Sequence, residues 1–457
     1  MTSTRRSHEA VTGARPVPLL ADPRVRWLVA ANIASCLGTA MTALAVAFVA
    51  YRQTESVVLT ALVFSGNTLP FVILAPLSGR LITHTDVRYM LAAGQAAKAL
   101  LWAGVTVAAG LGALDYGLLL AANFAYGSAS GLITAAWPRL IELIAPPDRL
   151  PDLTAMFKNT IPSVAAIAGA LSGGILLATL GRTWVFAIDT VSYVPLLVAL
   201  LMLPPLAKLP PEKGGAVRVG IRFVGRTRAL RQAFLLTAAL NLAAFPILSA
   251  LPAIAHEIDA RGHVLGLLTG AFCAGGALVV WAVVRLRRRF SYSSILFGGF
   301  FGAGLLLLAN SALTEWRNPG VDAVIVAGIT LVPIGLAVAL NASLLQALVV
   351  LECRDETKGG VLATYGALAA AVTPIGGLLL GAAIDASSLW FPLGCFGVLL
   401  STVAVALRGR LRIFDTLGSA QQHERVQRSM GDHWHAHLSY SAGADIAERP
   451  HPHHFGR

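Results

Sequence analysis

Charged side chains are scarce in this chain of 457 residues. Asp, Glu, Lys and Arg make up 13% of it, against roughly 25% in a typical soluble domain. Hydrophobic residues make up 56%, and the mean hydropathy is +0.70. This composition excludes an ordinary soluble protein, because so little charge cannot cover a water-facing surface. The formal net charge of +12 does not indicate nucleic acid, since the basic residues are dispersed among apolar segments.

Cysteine is also rare, and its four copies lie far apart. Cys36, Cys273 and Cys395 fall in apolar runs and Cys353 in a short loop, so the chain has neither a disulfide framework nor a zinc-binding spacing. The phosphate-binding sequence GxxxxGK followed by Ser or Thr is absent too, which argues against direct use of ATP. We therefore expect no metal and no cofactor.

Long apolar runs fill most of the chain. Because about 20 apolar residues cross a bilayer as a helix, the runs predict an all-α polytopic membrane protein with twelve transmembrane helices in two pseudo-symmetric six-helix bundles. The first six predicted spans are residues 27–51, 57–82, 89–110, 116–140, 153–180 and 183–203. The second six are residues 232–255, 264–284, 293–313, 321–351, 360–384 and 389–407.

A long polar stretch, residues 204–231, separates the two sets of spans. The predicted domains are an N-terminal cytoplasmic segment, a six-helix bundle, a basic cytoplasmic linker, a second bundle and a tail, at residues 1–26, 27–203, 204–231, 232–407 and 408–457. Arg218, Arg222 and Arg226 recur every fourth residue in the linker, which indicates a basic amphipathic helix on a membrane surface. A solvated linker fits the same pattern.

The positions of the basic residues test this topology. With the N-terminus inside, all but five of the 35 Lys and Arg residues fall on the inner side of the twelve spans. The exceptions are Arg52, Lys98, Arg182, Arg261 and Arg317. Because Lys and Arg near spans are retained in the cytoplasm, we expect both termini to be cytoplasmic.

The two halves also resemble each other in sequence. Gly173-Gly174-Ile-Leu-Leu recurs about half a chain later as Gly376-Gly377-Leu-Leu-Leu. Parallel six-span repeats place a substrate site at their interface and alternate access to it by rocking. The repeat therefore favours a transporter.

Polar side chains within spans identify candidate site residues, because each is costly in lipid. Asparagines lie in the first, fourth, seventh and tenth spans, and a glutamine adds one more: Asn32, Asn123, Asn241, Asn341 and Gln346. These five amides are our candidates for a substrate cavity. Hydrogen bonding between helices, with no ligand, is the alternative for each.

Ionisable groups within spans are few. Asp189 lies inside the sixth span and is the candidate for carrying a coupling proton, although a structural hydrogen bond would also explain it. Lys98 in the third span is interpreted as a snorkelling or paired lysine rather than a substrate ligand. Gly169, Gly173 and Gly174 in the fifth span form small-residue ridges that predict close helix packing.

Several segments resemble the major facilitator superfamily, and within it the bacterial exporter branch that contains the enterobactin exporter and macrolide efflux proteins. They are Asn32-Ile-Ala-Ser-Cys-Leu-Gly38, Thr54-Glu-Ser56, Gly79-Arg80-Leu81 leading to Asp86-Val87-Arg88, Asp148-Arg149, Phe186-Ala-Ile-Asp189 with Ser192-Tyr193, and Gly220-Ile-Arg-Phe223. The resemblance covers about residues 20–412 and implies the major facilitator fold.

The resemblance also implies a gating role for the turn after the second span. Gly79, Arg80, Asp86 and Arg88 are the candidate gating residues. Thr83 and His84 occupy positions where the family usually has an acid and an arginine. In the fifth span, Ala170 follows the first glycine where the family's exporters usually have proline.

The tail holds seven histidines, at His423, His433, His435, His437, His451, His453 and His454. A disordered cytoplasmic tail is the favoured interpretation, and transition-metal binding is the alternative.

Together these features predict a secondary active transporter: a proton-coupled exporter, or antiporter, of small amphipathic organic compounds such as drugs or natural products. We expect a monomeric, multi-pass protein of the bacterial cytoplasmic membrane, with a small-molecule substrate, protons and the lipid bilayer as partners and no nucleic acid. We do not expect an enzyme, because His84, His256 and His263 are isolated and no paired carboxylates occur. A polytopic membrane enzyme and a non-transporting receptor or scaffold are the alternatives.

Overall fold

The computed structural model describes residues 22–82, 84–146, 149–204, 216–258, 262–315, 321–353 and 355–411. The described residues form helices and no strands. In the first half these are α1 (Pro23–Thr54), α2 (Val57–Leu81), α3 (Val87–Gly110), α4 (Tyr116–Ile133), α5 (Ala136–Ile144), α6 (Leu150–Ala155), a π-helical turn (Met156–Thr160), α7 (Ile161–Thr179) and α8 (Arg182–Leu201). The second half has α9 (Ala216–Arg226), α10 (Arg228–Ala243), α11 (Ile247–Ile258), α12 (Gly262–Ala277), α13 (Val279–Arg287), α14 (Tyr292–Glu315), α15 (Val321–Glu352), α16 (Asp355–Ala386) and α17 (Trp390–Leu411).

The predicted spans correspond to these helices. Within the described ranges, ten helical segments are long and apolar enough to cross a membrane, and the bent pair α4–α5 gives an eleventh. The remaining predicted span is the apolar part of α17, Trp390–Ala406. The chain is an all-α polytopic membrane protein, as the sequence predicted.

Four of the spans are interrupted, which apolar length alone does not predict. The fourth bends by 42° between α4 and α5, and there the backbone N–H of Ala135 donates to Ser78 Oγ at 3.0 Å. The fifth contains the π-helical turn just before Pro162, whose nitrogen has no hydrogen to bond to the carbonyl one turn earlier. The seventh span breaks at residues 244–246, which include Pro246, and the eighth span breaks at residue 278.

The two ends of the bundle differ in how the halves pack. We call the end where α1 begins the proximal end and the end where α1 finishes the distal end. One hydrophobic core contains the distal part of the first half together with the second half, from Met41 and Phe186 across to Leu251 and Leu296. A separate core, around Leu28 and Leu140, contains only proximal residues of the first half. The halves are therefore joined through the core at the distal end.

Two helix pairs make most of the junction between the halves. α7 crosses α12 so closely that a Cβ atom at Gly174 would lie 2.7 Å from Gly266 Cα. α2 lies along α16, where a Cβ atom at Gly381 would lie 2.6 Å from Val58 Cα. Glycine is needed at both crossings because any side chain would push the backbones apart.

The second part of the polar linker is helical, as the arginine spacing indicated. Gly220 of α9 lies against Gly360 of α16, where a Cβ atom would come within 2.4 Å of the Gly360 carbonyl. Phe223 packs against the large core, while Arg222 and Arg226 are exposed. α9 thus docks on the second half and leaves Arg222 and Arg226 exposed.

Candidate functional site

A cavity of about 370 Å³ lies within the first half. Its described walls come from α1, α3, α4, α5, the π-helical turn, α7 and α8. It reaches from Ala43, near the middle of α1, toward the proximal end, where Trp137 and Lys158 line it. The breaks in the fourth and fifth spans therefore lie in the cavity wall, and they place side chains that a straight helix would direct elsewhere.

The polar face of α1 forms one wall of this cavity. Asn32, Cys36 and Thr39 line it at the spacing of successive helical turns. Of the five candidate amides, Asn32 lines this cavity. Its side chain is mostly buried, so it faces the cavity from within the protein.

The other four candidate amides lie elsewhere. Asn123 is buried and donates to the Leu119 carbonyl at 3.0 Å, which is a bond within its own helix. Asn341 is fully buried and packs against Gly299 of α14. Gln346 is exposed.

Asn241 lies behind a second cavity, of about 160 Å³, where α2, α16 and the break between α10 and α11 meet. Asn241 donates to the Thr237 carbonyl at 2.8 Å and accepts from Thr373 Oγ1 at 2.8 Å. Thr373 lines this second cavity, which is mostly apolar, together with Phe64 and Pro246. The sequence-predicted asparagines are therefore divided among different environments rather than gathered around one ligand.

Lys98, which the sequence analysis interpreted as a snorkelling or paired lysine rather than a substrate ligand, lines the first cavity. Its side chain is 8% exposed, yet it lines the cavity. Its ammonium group lies 4.9 Å from the centre of the Tyr126 ring. Lys98 is therefore held in the middle of α3 and does not extend to the membrane surface. A signal for this was present in the sequence: Gln95 precedes Lys98 by three residues, which puts two polar groups on one helical face.

Asp189 is fully buried on α8, next to the same cavity. Its carboxylate accepts from Ser192 Oγ at 3.3 Å and from Tyr193 Oη at 3.5 Å. Tyr193 Oη also lies 3.1 Å from Thr39 Oγ1, and both Tyr193 and Thr39 line the cavity. Two hydroxyl groups thus connect the cavity to the buried carboxylate.

The surroundings of Asp189 include α1 and α3. A Cβ atom at Gly38 would lie 2.7 Å from Asp189 Oδ1, so α1 approaches the acid closely only because residue 38 is glycine. The charge of Lys98 acts on Asp189 from α3 without forming an ion pair within 4 Å among the described residues. This arrangement can hold or release one proton without exposing the carboxylate to lipid.

The candidate gating residues lie at the proximal end. Asp86 caps α3 by accepting from the backbone N–H of Arg88 at 2.9 Å, and its carboxylate pairs with the Arg88 guanidinium at 2.9 Å. Arg88 also donates to the Leu203 carbonyl after α8. Gly79 and Arg80 are exposed at the end of α2. In this conformation the Asp86–Arg88 pair ties together helices of the first half, while Thr83 lies outside the described residues.

The candidate packing glycines lie in two contacts. Gly169 and Gly173 face α1, where Cβ atoms would lie 2.6 Å from Ala40 Cβ and 3.1 Å from Met41 Cα. Gly174 faces α12 across the junction between the halves. No group of three or more metal-ligating side chains occurs in the described part of the chain, and the His-rich tail lies outside that part.

Comparison with known proteins places this architecture in a family. Residues 15–433 match the family model described as transmembrane secretion effector, MFS_3. No curated protein sequence matches the chain.

Solved structures with similar folds include the nucleoside transporter NupG, at 11% identity and a TM-score of 0.65 over 86% of this chain and 98% of that one. A bacterial homologue of the iron transporter ferroportin in an inward-facing state is 15% identical, with a TM-score of 0.66 over 84% and 98%. A D-xylose-proton symporter is 13% identical, with a TM-score of 0.62 over 82% and 96%. By its family match and its fold, this protein belongs to the transmembrane secretion effector family of major facilitator transporters.

Proposed function

We propose that this protein exports a small amphipathic organic compound from the bacterial cytoplasm by proton-coupled alternating access. The observation that carries the proposal is the difference between the two ends of the bundle. One core joins the halves distally, whereas the first-half cavity extends toward the proximal end. Rocking of the halves would open the distal end and close the proximal one.

The distribution of basic residues supports a cytoplasmic location for the proximal end. Arg80, Arg139, Arg285 and Arg287 lie at proximal helix ends, and Lys and Arg flanking spans are retained in the cytoplasm. Both termini then lie in the cytoplasm. The cavity would receive its substrate from that side, which is what an exporter requires, and the description of the family as secretion effectors supports the same direction.

The chemistry of the two cavities supports an amphipathic substrate. The first-half cavity offers amide and hydroxyl groups at Asn32, Gln95 and Thr39 beside the aromatic rings of Tyr126 and Trp137. The second cavity adds apolar surface between the halves. Neither described cavity wall contains a histidine or a pair of carboxylates, so the geometry favours transport over catalysis.

Asp189 is the proposed coupling group. A buried carboxylate in a membrane span is costly when charged, and Asp189 connects to the cavity through Tyr193 and Thr39. The other ionisable groups around it are Lys98 on α3 and Tyr193 on α8. We propose that Asp189 takes up and releases its proton through these two hydroxyls as the cavity changes sides.

Gly79, Arg80, Asp86 and Arg88 are the proposed proximal gate. Asp86 and Arg88 connect the start of α3 to the end of α8 in this conformation. When the distal end opens, the turn between α2 and α3 would approach the second half and close the cytoplasmic entrance.

A transport assay in inverted membrane vesicles tests the proposal. A panel of amphipathic compounds is added to vesicles energised by an acidic lumen, and both compound uptake and proton efflux from the lumen are followed. We expect at least one compound to be taken up, to release lumenal protons and to lose its accumulation when an ionophore collapses the gradient. Uptake that persists without the gradient would contradict proton coupling, and no uptake across the panel would contradict export.

A further inference from the structure

We propose that the first-half cavity is an anion site, in which Lys98 binds the carboxylate of an amphipathic organic acid. The inference deepens the proposed function, because it names the charge of the exported compound. It rests on the surroundings of Lys98, on the rest of the cavity wall and on the energetics of moving a charge across the membrane.

Among the described residues, Lys98 is a buried cation without an acidic partner. More than nine-tenths of its side chain is buried, and no carboxylate of the described residues lies within 4 Å of its ammonium group. Its one close partner in that part of the chain is the ring of Tyr126, a cation–π contact that compensates only partly for lost water. Polar groups inside a membrane protein are retained where they pair with each other or line a wet cavity, and Lys98 lines one.

Asp189 does not act as the acidic partner of Lys98. The charge of Lys98 acts on Asp189 through the electric field, but the hydrogen bonds that the carboxylate accepts come from Ser192 and Tyr193. The two hydroxyl-bearing side chains of α8 hold the carboxylate, and among the described residues it forms no ion pair with the ammonium group within 4 Å. The space next to Lys98 is thus open to an anion that enters the cavity.

The rest of the wall suits an acid with an apolar body. Gln95 Oε1 is buried without a hydrogen-bond partner among the described residues and lies one turn from Lys98, where its amide would meet a polar group of the ligand. Lys158 adds a second positive charge toward the proximal end. Trp137 and Phe157, whose ring centroids lie 5.9 Å apart, add an aromatic surface to the same wall.

The membrane potential favours the same substrate class. The interior of a bacterium is electrically negative, so the potential drives an anion outward. An acidic substrate therefore adds to the driving force for export, whereas a cationic one would oppose it.

Binding to three matched probes tests the inference without any transport. The probes are 2-naphthoate, its neutral amide and 2-naphthylmethylamine, which share one ring system and differ in charge, and affinity for the purified protein is measured by calorimetry in detergent at constant pH. We expect the carboxylate to bind about tenfold or more tightly than the amide, as for a hydrogen bond to a charged group, and the amine to bind most weakly. Lys98→Gln should remove this preference by weakening carboxylate binding alone, and Lys98→Arg should retain part of it.

Lys358→Gln is the matched control, because it removes the same charge from α16, outside the cavity. It should leave the preference intact. Thermal unfolding and gel filtration of each variant establish that it is folded. Equal affinities for the three probes, absence of carboxylate binding at millimolar concentration, or a preference that survives in Lys98→Gln would overturn the inference. Carboxylate binding without vesicle transport would instead support the anion site and contradict the proposed export.

Discussion

Asp385, at the distal end of α16, caps α2 of the other half by accepting a hydrogen bond from the backbone N–H of Val57 at 2.8 Å. Its second oxygen accepts from the N–H of Val58 at 3.1 Å and from Ser56 Oγ. The first N–H groups of a helix have no partner within the helix and carry a partial positive charge. The carboxylate of one half therefore holds the helix start of the other, and this contact must break whenever the distal end opens.

Replacing Asp385 by alanine is expected to favour distal opening. Loss of a helix cap costs about 1 kcal/mol, which changes the ratio of open to closed protein by about fivefold. Spin labels are attached to Arg182→Cys and Ser387→Cys in a background without the native cysteines. Pulsed electron paramagnetic resonance then measures the distance between the two halves at the distal end. The distance distribution should gain a longer component in Asp385→Ala.

Asp115→Ala is the control for this change. Asp115 also lies at the distal end, but it caps its own helix through Leu118 at 2.7 Å. Asp115→Ala should therefore leave the distance distribution between the spin labels unchanged. An equal shift in both variants would show that helix capping in general, and not the contact between halves, controls the opening.

A valine at Gly174 is expected to force α7 and α12 apart. Its Cβ would lie 2.7 Å from Gly266 Cα, and overpacking of this kind costs about 1–3 kcal/mol. The same spin labels should report a wider distal end, and export should slow. Gly104→Val on α3 is the control, because nothing lies within 4 Å of a Cβ there. Normal distances and export in Gly174→Val would contradict the close crossing.

Neutralising Asp189 is expected to uncouple transport from protons. Asp189→Asn keeps the size of the side chain but cannot exchange a proton, so substrate-induced proton efflux from vesicles should be lost while downhill movement of substrate continues. Asp152→Asn removes an exposed acid of α6 and should behave like the unmodified protein. Proton efflux that survives in Asp189→Asn would assign the coupling to another group.

The asparagines are expected to separate into two classes. Asn32→Ala should weaken substrate binding, by about tenfold if one hydrogen bond to a charged ligand is lost, with little change in thermal stability. Asn341→Ala should instead lower the unfolding temperature, because the amide fills the contact with Gly299 and its loss leaves a void. The midpoint of substrate-dependent uptake and the unfolding temperature, measured on both variants, distinguish the classes. An unchanged midpoint of substrate-dependent uptake in Asn32→Ala would show that Asn32 does not bind the substrate.

The sequence was sufficient to predict the helices of this fold, because twenty apolar residues have few alternatives in a bilayer. The interruptions at Ala135 and at the π-helical turn were not predicted, since each depends on a tertiary partner such as Ser78 or on one proline within an apolar run. The fold was thus predictable from composition and periodicity, whereas the finer shape of the cavity wall was not.

The candidate site was predictable only in part. Polarity within a span identified Asn32 and Asp189, but it did not distinguish Asn32 from Gln346, which is exposed. Lys98 was interpreted as a snorkelling or paired lysine, because the direction of a helix face depends on neighbouring helices that the sequence does not specify. The contact between Asp385 and Val57 joins residues 328 positions apart, so no local pattern could indicate it.

A reversible cross-link across the junction tests the central claim most directly, namely that the halves separate distally in each cycle. A Cβ at Gly377 would lie 3.4 Å from Ala61 Cβ, close to the roughly 3.5–4.5 Å that a disulfide spans. We expect Ala61→Cys with Gly377→Cys, in a background without the native cysteines, to lose vesicle transport when oxidised and to regain it on reduction, with each single variant unaffected. Full transport by the completely cross-linked protein would contradict alternating access.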